Sequence, residues 1–341
     1  MTISEIAKLA GVSNAAVSRY LNDGYLSQEK REAIAKAIKE TGYRPSPQAQ
    51  TLRTHRSKMV GVILPRIESN SIARVVAGIS SVMNKKKFKI IMANTENNPD
   101  TELRYMKVFD DKQVDGLIFV ATVITDRHRK MIAKSTIPIV VVGQKVDETD
   151  CIYHDDYHAT YELVEHMVER GRRHPAYIAV LEEDRAVGHD RTKGYRDAVA
   201  AHGLQEMADH IVTADFSMGS GMAEMAKILS LYPETDAVIA ATDTIAVGAL
   251  RAVRERGLRV PEDVMIAGIG NSPISEVTLP MLTTMNYEYE ESGRQAAELL
   301  LDRISGKASG EGAADAGADG RESHSSVVLG HQLIVRESTG M

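Results

Sequence analysis

Cys151 is the single cysteine in 341 residues, so the chain can close no internal disulfide and can build no multi-cysteine zinc site. It also has no apolar run approaching 18 residues, which argues against a transmembrane helix. There is no G-x-S-x-G elbow, no P-loop, no G-x-G-x-x-G after the first apolar run and no H-E-x-x-H. These absences leave an enzyme poorly supported, and no cofactor or catalytic residue is expected. His154, Asp155, Asp156 and His158 cluster in sequence, but without a companion glutamate motif they read more simply as a solvated crossover than as a metal site. A basic n-region and an apolar h-region are also missing from the start of the chain, so a cytoplasmic protein with no membrane partner is the expectation.

What is present begins at once, in residues 2–22, TISEIAKLAGVSNAAVSRYLN. Thr2 and Glu5 have capping-box spacing, in which a hydroxyl and a carboxylate satisfy orphan backbone donors reciprocally. Gly11 supplies the permissive backbone of a tight turn, and Ser13 is placed to N-cap a second helix running to about Asn22. Val17, Tyr20 and Leu21 share one face of that helix; Asn14, Ala15, Ser18 and Arg19 fall opposite. A third helix, from about Gln28 to Thr41, is capped by Ser27, stops at Gly42 and turns Ala33, Ile34, Ala37 and Ile38 to one side. The pattern is a helix-turn-helix that docks in DNA, although a capped helix pair also occurs in other bundles. Charge favours DNA. Residues 1–58 carry ten Lys and Arg against five Asp and Glu, roughly +5, whereas the whole chain is at −6, so a basic head joins an acidic body.

After Tyr43-Arg44-Pro45-Ser46-Pro47 comes a short helical stretch, Pro47 to Arg53, with proline suited to its first turn. From Met59 on, apolar runs alternate with helical patterns: Val60–Leu64, Lys89–Ala93, Gly116–Val120, Ile137–Val142, Tyr177–Val180, Ala237–Ala241 and Val264–Gly268. Such runs, with helices between them, predict two successive doubly wound parallel sheets. Ligands of such sheets bind beyond the carboxyl ends of the strands, which points to the loops after Leu64, Ala93, Val120, Val142, Val180 and Ala241. Residues 306–326 are rich in Gly, Ala, Ser and Asp and read as a flexible surface insertion. Val327 to Val335 then reads as one strand closing a sheet.

Taken in order, the segments IAKLAGVS…VSRYLN, GYRPSPQAQTLR, RTKGY (191–195), ADFSMGSG (214–221), ATDTIAVGALRAVRERGLRVPEDV (241–264), LPMLTTM (279–285) and IVRESTG (334–340) resemble the LacI/GalR family of bacterial transcription regulators over nearly the whole chain. The resemblance implies an all-α helix-turn-helix domain (1–44), a hinge helix (45–58) and an α/β body like the periplasmic sugar-binding proteins. That body would have one lobe at 59–157 and 287–322, the other at 158–286 and 323–341. It further implies a repressor of a carbohydrate-utilisation operon that binds pseudo-palindromic operator DNA as a homodimer and is controlled by a small sugar; the alternative is a global catabolite regulator activated by a phosphocarrier protein. No leucine heptads follow Arg336, so a dimer is expected rather than a tetramer.

Carried over by residue, the resemblance gives base reading to Asn14, Ala15 and Arg19, phosphate contacts to Ser13 and Ser18, and a minor-groove wedge to Leu52, which on its own reads as the apolar side of a short helix. Arg53, Arg56 and Lys58 contact phosphates or form a solvated basic linker. Arg191 matches the effector-anchoring arginine, with a surface salt bridge as the alternative, while Phe216 and Tyr289 match aromatics that lie against the ligand or pack in the core; Tyr287 is a weaker candidate. Departures are equally informative. Gln144 stands where relatives often place an aspartate, Asn271 follows a strand where paired aspartates are common, and Thr242 replaces a frequent asparagine beside Asp243. With fewer carboxylates, Gln144, Asn271, Asn70 and Ser71 offer neutral hydrogen bonds suited to a larger effector such as sucrose or another oligosaccharide.

Overall fold

A computed structural model of the chain describes residues 1–21, 24–43, 56–111, 114–306 and 324–340. They belong to two units, Met1–Ser57 and Lys58–Met341. The expected hinge helix with Leu52 and Arg53, and residues 307–323 of the Gly/Ala-rich stretch, lie outside the described residues.

The first unit holds α1 (Ile3–Leu9), α2 (Asn14–Leu21) and α3 (Gln28–Thr41). Its capping box forms: Thr2 Oγ1 accepts from the Glu5 N–H at 3.3 Å and Glu5 Oε2 from the Thr2 N–H at 2.7 Å. Gly11, at φ +64°, makes the turn, and Ser13 Oγ accepts from the Ala16 N–H at 3.3 Å to cap α2. Ser27 takes the extended backbone of an N-cap, but contrary to expectation its hydroxyl makes no capping bond. Ile6, Ala7, Ala16, Val17, Ile34, Ala37 and Tyr43 form the shared core.

In the second unit each lobe has a six-stranded sheet. Strands β1 (Met59–Leu64), β2 (Lys89–Asn94), β3 (Gly116–Val120), β4 (Ile139–Val142) and β5 (Asp150–His154) alternate with α4 (Asn70–Lys85), α5 (Pro99–Asp110) and α6 (Asp126–Lys134). The chain then enters the second lobe through α7 (Asp156–Glu169), β6 (Pro175–Ala179), a π-helical turn (Arg185–Asp190), α8 (Arg191–Ala201), β7 (Ile211–Thr213), α9 (Met218–Leu231), β8 (Ala237–Ala240), α10 (Asp243–Glu255), β9 (Met265–Ile269), α11 (Ile274–Val277) and β10 (Thr283–Tyr287). Helix α12 (Tyr289–Ser305) returns to the first lobe, followed by β11 (Ser326–Leu329) and β12 (His331–Ile334).

The strand orders are β2-β1-β3-β4-β5-β11 and β7-β6-β8-β9-β10-β12, parallel throughout except for the antiparallel pair β10–β12. Each sheet therefore reverses its winding between its first and third strands, and the crevice at such a switch point is where this class of sheet binds ligands. The seven expected strands occur with ends displaced by at most two residues. The segment 327–335 differs: it is two strands, β11 in the first sheet and β12 in the second, separated by Gly330. The chain changes sheets at Asp155, Glu288 and Gly330, so the lobe boundaries expected at 157/158, 286/287 and 322/323 move to these connections. The shift at the last is largest because Ser326–Leu329 pairs with Cys151–His154.

Helices α4 and α12 pack backbone to backbone on the first sheet. A Cβ at Gly78 would lie 1.9 Å from the Glu290 carbonyl oxygen, and one at Gly293 would lie 2.0 Å from that of Val75. The first lobe's core divides across its sheet, with Ile79, Met83 and Leu300 on one face and Met106, Phe109 and Phe119 on the other. The second lobe is built around Tyr177 and Tyr195, stacked at 5.3 Å.

Candidate effector cleft and DNA-reading helix

On the first unit, α2 buries Ala16 and Val17 and half-buries Tyr20 and Leu21. Asn14, Ala15 and Arg19 are exposed, and Ser18 is half-buried. The amphipathic split expected from spacing is thus present, with a guanidinium, an amide and a methyl on the open face. Arg31 lies 5.7 Å from the centre of the Tyr20 ring and donates to the Gly24 carbonyl at 3.0 Å, fastening α3 to the end of α2. Lys58, the first residue of the second unit, has its ammonium 4.5 Å from the centre of the Phe88 ring.

In the second unit, the loops at the strands' carboxyl ends enclose a cavity of about 510 Å³ lined by residues of both lobes. Asn70, Ser71, Arg191, Phe216, Thr242, Asp243 and Tyr289 all line it. Asn70 and Ser71 open α4, and Thr242 caps α10 by accepting from the Ile245 N–H at 3.3 Å. Gln144 and Tyr287 line a smaller inner chamber of about 110 Å³, which shares Ser71, Val187, Arg191 and Tyr289 with the outer cavity.

Arg191 is buried rather than part of a surface salt bridge. Its Nε donates to Asp156 Oδ1 at 2.6 Å and Nη1 to the Ala241 carbonyl. The Tyr287 hydroxyl donates to the same Asp156 oxygen at 3.0 Å. Asp243, also buried, accepts from the Ser272 N–H and hydroxyl at 2.7 and 2.8 Å and from Thr284 Oγ1. Burial pushes its pKa up, against the pull of these donors. It fixes the turn that follows β9 and is itself largely satisfied.

Several contacts cross between the lobes. Gln144 Nε2 donates to Asp184 Oδ1 at 2.9 Å, the Arg66 guanidinium lies 4.2 Å from the centre of the Phe216 ring, and Arg74 donates to the Gly270 and Tyr287 carbonyls, each at 3.2 Å. Burial raises Asp184 to about 6, although the Val187 N–H and Gln144 favour its ionised form.

Residues 2–46 match the model of bacterial regulatory proteins of the lacI family, and residues 164–339 match that of a periplasmic binding protein-like domain. Over 302 residues the chain is 33% identical to the sucrose operon repressor of Staphylococcus xylosus, covering 89% of this chain and 93% of the relative. The chain belongs to the lacI family. It is thereby a DNA-binding transcriptional regulator and not an enzyme. Among solved structures it resembles a complex of the transcriptional regulator CelR with cellobiose, at 29% identity and TM-score 0.74 over 99% of both chains. It shares its fold with the lac repressor dimer bound to operator and an anti-inducer, at TM-score 0.86 and 23% identity over 100% of this chain and 99% of that one.

Two expectations for this lacI-family body are corrected. Asn271 lines neither chamber: at φ +43° its amide donates to Asn286 Oδ1 at 3.2 Å and accepts from Arg336 at 2.9 Å. Ser272, one residue on, lines the cavity instead. The His154–His158 cluster is not uniformly solvated, since His154 and Asp156 are buried while Asp155 and His158 pair outside as a helix cap. Among the described residues no group of three His, Cys, Asp or Glu could hold a metal ion, and no helix is long and apolar enough to cross a membrane. Arg66 and Asp184 also line the two chambers; the only sequence signal for them is their place in the loops after Leu64 and Val180, on the ligand side of the sheets.

Proposed function

We propose that this regulator represses a carbohydrate-utilisation operon as a cytoplasmic homodimer on pseudo-palindromic operator DNA, and that a neutral sugar of disaccharide size in the inter-lobe cleft releases it. Asn14, Ala15 and Arg19 read bases, Ser13 and Ser18 meet phosphates, and Leu52 with Arg53 engages the centre of the operator from the minor groove. Arg19 pairs with guanine O6 and N7, and Ala15, which has no hydrogen-bonding group, packs on a thymine methyl.

The observation that carries the effector reading is the lining of the cavity. Two aromatic rings, Phe216 and Tyr289, accompany the uncharged donors and acceptors Asn70, Ser71 and Thr242, and the charged groups that also line it are engaged with one another or with the protein: Arg191 with Asp156, Asp243 with Ser272 and Thr284, and Arg66 with the Phe216 face beside Glu68. Aromatic faces with neutral hydrogen-bonding groups suit a sugar ring, and the size of the cavity suits more than one. The Staphylococcus xylosus relative is a sucrose operon repressor and the CelR structure holds cellobiose, which supports this class.

Operator affinity is measured by fluorescence anisotropy with sucrose, cellobiose and ribose. A disaccharide is expected to weaken operator binding, and operator must weaken binding of that sugar by the same factor, because the coupling is reciprocal. Equal sugar affinity with and without operator ends the reading. The exposed lysines 85–87 at the end of α4 are the surface a phosphocarrier-activated regulator would use; operator binding that depends on such a carrier and ignores every sugar would favour that alternative.

A further inference from the structure

We propose that the inner chamber is a subsite for an uncharged hydroxymethyl arm of the effector, and that it rejects the same arm once phosphorylated. The proposal rests on the reading of the cleft as a sugar site and adds a chemical discrimination to it. At about 110 Å³ the chamber has room for some three or four waters at ~30 Å³ each. That is too little for a whole sugar ring, but enough for the arm and a neighbouring hydroxyl of a ring seated in the outer cavity.

The charges facing the chamber decide what can enter. Among the described residues Arg191 is the one cation lining it, and it is held by Asp156 and the Ala241 carbonyl. Asp184 adds a second carboxylate, bound by Gln144 at 2.9 Å and the Val187 N–H at 3.1 Å, with Arg191 and Arg66 acting on it only from a distance. His154 supplies no compensating charge, because burial, with Arg191 and Arg74 nearby, lowers its pKa to about 4, against the pull of Asp156. A phosphate here would lose its water and meet Asp184, with Arg191 already engaged and no other cation among the described residues lining the chamber.

For a neutral arm the chamber is prepared. The His154 ring stacks on Tyr287 at 4.6 Å and meets Tyr289 edge-on at 5.1 Å. Its Nε2 is buried with no hydrogen-bond partner, a cost that a ligand hydroxyl donating to a neutral imidazole would remove. The tyrosine rings offer apolar faces to the arm's methylene.

Isothermal titration of the full chain with sucrose, cellobiose and their 6- and 6′-phosphate monoesters tests this. For a disaccharide that binds, at least one monoester is expected to bind 30-fold or more weakly, identifying the arm that enters. Asp184→Asn should shrink that gap to about threefold by strengthening the ester. His154→Phe, which keeps a ring but no acceptor, should weaken the parent sugar tenfold or more, and His154→Gln should recover part of the loss. Esters that all bind within threefold of the parent overturn the proposal, and this ratio in the unaltered chain decides even if a variant does not fold. Variants that fold and leave both affinities unchanged also overturn it. Absence of binding by any of these sugars removes the sugar reading itself, a result distinct from sugar binding without discrimination.

Discussion

At the scale of single residues, Asp156 has consequences out of proportion to its place in the sequence. One of its oxygens takes both the Arg191 guanidinium and the Tyr287 hydroxyl, with Asp156 and Arg191 only 6% and 4% exposed. Removing one partner of a buried pair leaves the other charge uncompensated, at a cost of about 3–5 kcal/mol. Asp156→Ala is therefore expected to lower the unfolding free energy in urea by that order; a loss below ~1 kcal/mol would mean that the Arg191 charge is met elsewhere. This carboxylate was illegible in the sequence because its partners lie 35 and 131 residues away, and H-D-D-Y-H by itself looks like solvated surface. Arg191, Phe216 and Thr242 were legible because each sits in a family segment, and Tyr289, which opens α12 two residues past β10, only through the resemblance. Asn271 shows the limit of that logic. Position after a strand says that a residue is near the cleft, but the backbone at φ +43° sends its side chain to Arg336 instead.

At the scale of elements, the continuous Val/Ile/Leu runs announced the central strands, since a strand buried on both faces needs apolar side chains on both. Strands β5, β7 and β10, read as DCIYH, IVT and TTMNY, are short or polar, so periodicity could not mark them; two of them lead directly into lobe crossings. Helix packing is likewise visible only in three dimensions. Gly78 and Gly219 are both helical, yet a Cβ at Gly78 would strike the Glu290 carbonyl oxygen at 1.9 Å while one at Gly219 would meet only Ser217 Oγ at 3.9 Å. Gly78→Ala must push α4 and α12 apart and is expected to cost at least about 1–3 kcal/mol, as overpacking does. Gly219→Ala relieves the helix of glycine's entropy and should gain roughly 0.5–1 kcal/mol. Thermal denaturation of the two variants side by side checks the contrast, and equal shifts would contradict the close contact.

At the scale of the whole molecule, buried titratable groups in two parts of the body set how stability depends on pH. His154 is lowered to about 4 by burial, and so is His166, where the Arg170 charge lowers it further. A histidine with a depressed folded pKa contributes stability that is complete above its unfolded value near 6.5 and is lost as pH falls toward 4. At ~1.4 kcal/mol per unit, each contributes on the order of 3 kcal/mol. Asp184 has the opposite sign: its folded pKa of about 6 exceeds the ordinary 3.8, so it favours the folded state at low pH and loses that advantage as pH rises through 6. It therefore offsets roughly one of the two histidines. Between pH 6.5 and 4.5 the unliganded full chain is expected to lose melting temperature, driven by the unbalanced histidine. Asp184→Asn removes the offset while leaving an amide oxygen to accept from Val187. The variant should melt above the parent at pH 7.5, where the parent carries a buried carboxylate, and the two should converge toward pH 4, giving the variant the steeper decline. Melting curves that stay parallel across this range would show that Asp184 titrates at its ordinary pH, and the link between its burial and the stability of the body would fall.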